Sequence, residues 1–95
     1  MQTPLSEEQI ETALKSLDTA WSALPGEGLV RVFETGSFQA GLALLTRIAG
    51  LAEQQDHHPD AHLSYDQLEL TLATHDVGGI TEQDVALARA IDALE

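Results

Sequence analysis

The residues most suited to chemistry sit close together. The four histidines are His57, His58, His62 and His75, and three of them fall within Glu53-Gln54-Gln55-Asp56-His57-His58-Pro59-Asp60-Ala61-His62. Imidazole titrates near neutral pH, so it can both give and take a proton under cellular conditions. Adjacent His57 and His58 at a helix end, fixed by Pro59, could present both rings to one pocket. His75 lies at the expected end of a strand, just before Gly78-Gly79, where binding residues are common. Three readings compete. The histidines are surface groups without a task, which suits His62 best. They bind a metal, which the spacing disfavours: adjacent side chains diverge, and Pro59 stands between His57 and His62, which are not an i,i+4 pair. Or His57, His58 and His75 perform metal-free acid–base catalysis.

Seven elements are expected to position these groups. Ser6-Glu7-Glu8-Gln9 reads as a capping box for a helix over 7–17, with Ile10, Ala13, Leu14 and Leu17 on its apolar face. Trp21 to Leu24 and Leu29 to Phe33 flank the turn Pro25-Gly26-Glu27-Gly28 and read as an antiparallel pair. Ser37 caps a long helix whose buried stripe is read as Phe38, Gly41, Leu42, Leu45, Ile48, Ala49 and Ala52. Leu44 and Leu51 fall outside that stripe, either as a contact for a second chain or as tolerated exposed leucines. Leu63 and Tyr65 alternate with polar neighbours, and Asp66-Gln67 is the expected turn. Leu68, Leu70 and Leu72 then form one face of a strand, with His75 on the opposite parity. Thr81 caps the last helix, with Asp84 at its third position and Leu87, Ala88, Ile91 and Leu94 on its buried side. The order α-β-β-α-β-β-α predicts an α+β two-layer sandwich, a four-stranded antiparallel sheet with three helices on one face.

Composition narrows the function. The 95 residues suit one domain over 1–95, and 43% hydrophobic content excludes a disordered chain. With no cysteine, thiolate metal sites, disulfides and thiol nucleophiles are excluded. Sixteen acidic residues against four basic ones, Lys15, Arg31, Arg47 and Arg89, give a formal charge of −12. Direct nucleic-acid binding and attachment to an anionic membrane are therefore not expected. No apolar run approaches the roughly 18 residues of a membrane span. The first eight residues lack the pattern of a secretory signal, so the cytoplasm is the expected location.

A set of short motifs adds a family resemblance. Glu53-x3-His57-His58-Pro59, Tyr65, Thr74-His75 and Gly79-Ile80-Thr81-x2-Asp84 together resemble the signature of the pterin-4a-carbinolamine dehydratases. The likeness runs through most of the chain, includes Trp21 after the first helix, and is strongest from Ala52 to Asp84. It implies an enzyme that dehydrates 4a-hydroxytetrahydropterin, formed when aromatic amino acid hydroxylases use tetrahydropterin, to quinonoid dihydropterin and water. It implies neither metal nor organic cofactor. The catalytic set it implies is His57, His58 and His75, supported by Asp84. The pterin contacts it implies are His57, His58, Pro59 and the run Thr74, His75, Asp76 and Val77. Within that set His57 and His75 are read as the acid–base pair and His58 as an orienting group. Glu53 is either a partner for His57 or a solvent-facing glutamate, and Asp84 is expected to hold His75 in one tautomer. The resemblance also implies a homodimer or homotetramer. The alternative is a non-enzymatic dimerisation or assembly module of the same fold.

Overall fold

The computed structural model describes residues 3–94. Its elements are α1 (Glu7–Leu14), β1 (Ser22–Leu24), β2 (Gly28–Glu34), α2 (Phe38–Gln55), β3 (Asp60–Leu63), β4 (Gln67–Leu72) and α3 (Glu82–Asp92). The four strands form one antiparallel sheet in the order β1-β2-β4-β3. The order α-β-β-α-β-β-α is the expected one. The sheet register places Leu29 opposite Leu72, Arg31 opposite Leu70 and Phe33 opposite Leu68. Leu29, Phe33, Leu68, Leu70 and Leu72 face the helices and join Ile48, Val85, Leu87, Ala88 and Ile91 in the core.

Several boundaries differ from the sequence reading. The first helix stops at Leu14 rather than 17, because its last turn tightens into bonds from Ser16 N–H to the Ala13 carbonyl and from Leu17 N–H to that of Leu14. Leu17 is still buried. The third strand is Asp60–Leu63, and Tyr65, 77% exposed, lies in the turn instead of the strand. The register explains this: Leu63 must pair with Leu68 to keep both on the core side, so the chain reverses over 64–66 and Gln67 already belongs to β4.

The buried side of α2 is also turned from the expected stripe. Gly41, Ile48 and Ala52 are buried, and Leu44, Leu45 and Leu51 pack against the core. Phe38 and Leu42 are exposed, as is Ala49. Gly41 sets this rotation. A Cβ there would come within 2.6 Å of a Leu63 methyl, so α2 meets β3 through its glycine. The residues three and ten places further on, Leu44 and Leu51, then fall on the sheet side.

At the far end of the sheet an arginine points into the core. Arg31 is opposite Leu70, and its side chain is only 11% exposed. Its guanidinium stacks 4.2 Å above the Phe33 ring and donates to Asp92 Oδ1 at 2.7 Å. The Trp21 indole N–H donates to the same oxygen at 2.8 Å, and Asp18 N–H donates to Asp92 Oδ2 at 2.9 Å. Asp92 thus ties the end of α3 to the start of β1. Removing one partner of a buried ion pair strands the other charge. Asp92→Ala is expected to cost about 3 kcal/mol in urea denaturation, and Arg31→Met with Asp92→Leu to cost less than that single change. A loss under about 1 kcal/mol for Asp92→Ala would contradict this picture.

Candidate active site

The end of α2 separates the two adjacent histidines. Asp56 takes the left-handed conformation, φ 51°, which short polar side chains tolerate better than most. His57 N–H then bonds back to the Ala52 carbonyl at 3.1 Å, closing the helix end. After this reversal the His57 ring points inward, with its side chain 11% exposed, while that of His58 stays 56% exposed. His57 Nε2 lies 2.5 Å from Asp84 Oδ1, and His58 Nε2 lies 2.5 Å from Glu53 Oε2. Glu53 is therefore the partner of His58, one turn back along α2, and not of His57.

Asp84 is fully buried at the start of α3. The local sequence accounts for its place: Thr81 is the N-cap, and Asp84 Oδ2 accepts its N–H at 2.9 Å. The same oxygen accepts the Thr74 hydroxyl at 2.9 Å. Thr81 Oγ1 lies 2.7 Å from Thr74 Oγ1 and accepts Gln83 N–H. Since the Thr74 proton is committed to Asp84, the Thr81 hydroxyl donates to Thr74. A carboxylate can only accept, so His57 must donate its Nε2–H to Asp84 Oδ1. Every proton in this buried cluster then has one direction. In its neutral form the His57 ring then keeps its lone pair on Nδ1.

His75 occupies a tight turn rather than a strand end. An isolated bridge joins Thr74 to Gly79, and the Thr74 carbonyl accepts from Val77 and Gly78 N–H, with Gly78 at φ +68°. Thr74 is buried, His75 and Asp76 are exposed, and Val77 and Pro59 are half-buried. The carboxylate beside His75 is Asp60, with Oδ2 3.4 Å from Nε2, where Asp84 was expected. Asp84 cannot serve it, because Oδ1 faces His57 and Oδ2 is filled by Thr74 and Thr81. Two segments nonetheless converge: 57–60 follows α2, 74–75 follows β4, and the contacts His57–Asp84–Thr74 and His75–Asp60 join them. His62 is exposed on the uncovered sheet face opposite Glu69 and stands apart from this group. Among the described residues no three His, Asp or Glu side chains gather as a metal-ligand cluster would.

A model of the family described as pterin 4 alpha carbinolamine dehydratase matches residues 3–94. The chain belongs to that family. A relative from Nitrobacter hamburgensis, provisionally named pterin-4-alpha-carbinolamine dehydratase, is 42% identical over 91 residues, covering 95% of this chain and 89% of its own. One from Chloroflexus aurantiacus with the same provisional name is 46% identical over 88 residues, covering 93% and 92%. A crystal structure titled as a transcriptional coactivator/pterin dehydratase from Brucella melitensis superposes with a TM-score of 0.88 at 33% identity, covering 97% of this chain and 98% of that one.

The sequence reading named His57, His58, His75, Asp84 and Thr74 and took Thr81 as a helix cap, but it did not name Asp60 or the hydroxyl contacts that join Thr74 and Thr81 to Asp84. The threonines carried a legible signal, since Thr74 and Thr81 stand either side of a glycine turn. Asp60 carried none beyond its place after Pro59. Asp84→Asn puts a donor where three donors converge, so one buried group loses its partner, at about 1–3 kcal/mol. Chemical denaturation is expected to show that loss, and turnover is expected to fall at least roughly tenfold because His57 is no longer held in one tautomer. Lost stability with wild-type turnover would make Asp84 a helix cap only.

Proposed function

We propose that the chain dehydrates a 4a-hydroxytetrahydropterin by acid–base catalysis on its own imidazoles, without a metal. The observation that carries this reading is the His57–Asp84 dyad, whose hydrogen bonds direct the lone pair of the neutral His57 ring to Nδ1. In the reaction His57 removes the N5 proton, and the N5–H electron pair forms the C4a=N5 double bond. The C4a–O bond breaks with its electrons on oxygen, and a proton from His75 releases it as water. Proton and hydroxide leave together, so no electron acceptor is needed. Asp60 Oδ2 lies 3.4 Å from His75 Nε2, within reach of the ring that gives up this proton. His58, braced by Glu53, borders the ring with Pro59, and the backbone from Thr74 to Val77 forms the other wall. Family membership, and the provisional names of relatives more than 40% identical, support the activity.

The same reading includes a tetrahydropterin-recycling context, a cytoplasmic location and a single domain over 1–95. It also includes a homodimer or homotetramer. The surface that supports assembly is not Leu44 with Leu51, which pack on their own core, but Phe38 and Leu42, 53% and 49% exposed one turn apart on α2. Light scattering is expected to show an assembly that Phe38→Glu with Leu42→Glu reduces while each subunit stays folded. A wild-type monomer at high micromolar concentration would contradict this. What favours the non-enzymatic assembly reading is the likeness to the Brucella melitensis protein described as a transcriptional coactivator/pterin dehydratase.

The activity test follows ultraviolet absorbance of a freshly generated 4a-hydroxytetrahydropterin. His57→Ala and His75→Ala are each expected to lose a large part of the roughly 10²–10⁴-fold that positioned acid–base groups contribute. Chelation is expected to change nothing. Wild-type turnover in both variants, or activity lost to a chelator and restored by zinc, would overturn the proposal.

A further inference from the structure

All three site histidines face carboxylates: Asp84 for His57, Glu53 for His58 and Asp60 for His75. Asp56 and Asp76 adjoin them in the chain and are exposed. The wall that carries His75 has a second side. There, Thr74 and His75 border a cleft of about 710 Å³ that runs between α1 and the β1–β2 hairpin. Leu5, Ile10 and Leu14 give it an apolar lining, and Glu7, Glu11 and Glu27 add three carboxylates. Among the described residues no lysine or arginine lines it.

The lysine and the three arginines are held elsewhere or lie outside the cleft. Arg31 is held in the core by Asp92. Arg47 donates to the Leu94 carbonyl and Arg89 to the Ser16 hydroxyl. Lys15 follows α1, one residue beyond the lining. An anionic substituent would therefore meet carboxylates both across the histidine face and along the cleft, and among the described residues no lysine or arginine stands there to receive it. At physiological salt the screening length is about 8 Å, so carboxylates bordering a cleft still act on what enters it.

We propose that this acidic frame selects substrates by charge. The site takes reduced pterins whose substituent is neutral or cationic and rejects those with a carboxylate- or phosphate-bearing tail. Glu7, Glu11 and Glu27 determine the choice, because the tail passes His75 into the cleft. This rests on the dehydratase reading and adds the substrate class to it.

The test compares kcat/KM for the 4a-hydroxy adducts of two tetrahydropterins, one with a short uncharged side chain and one with a glutamate-bearing tail. Wild type is expected to prefer the uncharged one by roughly tenfold or more at low salt, and the preference is expected to shrink as salt rises. Glu7→Gln with Glu11→Gln and Glu27→Gln is expected to remove most of that preference, chiefly through KM. Glu8→Gln with Glu34→Gln and Asp66→Asn removes three charges outside the cleft lining and is expected to leave the preference within about twofold. An unchanged preference in the cleft variant, or an equal loss in the control, would overturn the proposal. Dissociation constants for the matching oxidised, unreactive pterins give the same ratio without catalysis. If wild type turns over neither adduct but the binding ratio behaves as expected, the dehydratase reading fails and charge selection stands. If it binds neither pterin, both fall.

Discussion

The structure depends most on one buried carboxylate. Asp84 has no contact with solvent and accepts from three chain segments: His57 after α2, Thr74 after β4 and Thr81 at the start of α3. A buried charge is tolerable only when its acceptor sites are filled. That requirement fixes the relative position of the three segments, and their side chains are the ones that can do chemistry. The helix cap and the site are thus one set of hydrogen bonds. Asp84 stabilises the fold because its donors are satisfied, and it restricts His57 to one tautomer for the same reason.

The helix that carries Asp84 is anchored at its other end by a second carboxylate. Asp92 gathers Trp21, Arg31 and the Asp18 amide, while Val85, Leu87, Ala88 and Ile91 between the two anchors fill the core. Apolar packing holds α3 against the sheet, but it is tolerant of sliding. The two carboxylates remove that freedom. A site that needs an imidazole within hydrogen-bond reach of its partner gains from such an anchor, since small displacements weaken proton transfer.

Periodicity made most of the architecture legible. The caps at Ser6, Ser37 and Thr81 mark helix starts that the structure retains, and the alternation of Leu68, Leu70 and Leu72 marks the central strand. What periodicity could not settle was rotation and pairing. Phe38 and Leu42 look as suitable for the core as Leu44 and Leu51, and only the close approach at Gly41 decides between them. The site divides in the same way. Residue types and spacing offered His57, His58 and His75, and the family resemblance added Asp84. Which carboxylate meets which imidazole follows from the left-handed turn at Asp56, which has no strong sequence mark, and from the bridge at Thr74, whose glycine turn was legible but whose pairing was not.

The central claim is that Asp84 holds the neutral His57 ring with its proton on Nε2 and its lone pair on Nδ1. The most direct measurement is a long-range ¹H–¹⁵N correlation spectrum of histidine-labelled protein at a pH where the rings are neutral. The account predicts one histidine in a single Nε2–H tautomer, with a slowly exchanging ring proton, that is lost in His57→Ala. A His57 ring protonated on Nδ1, or one averaging between tautomers as exposed His62 should, would contradict it.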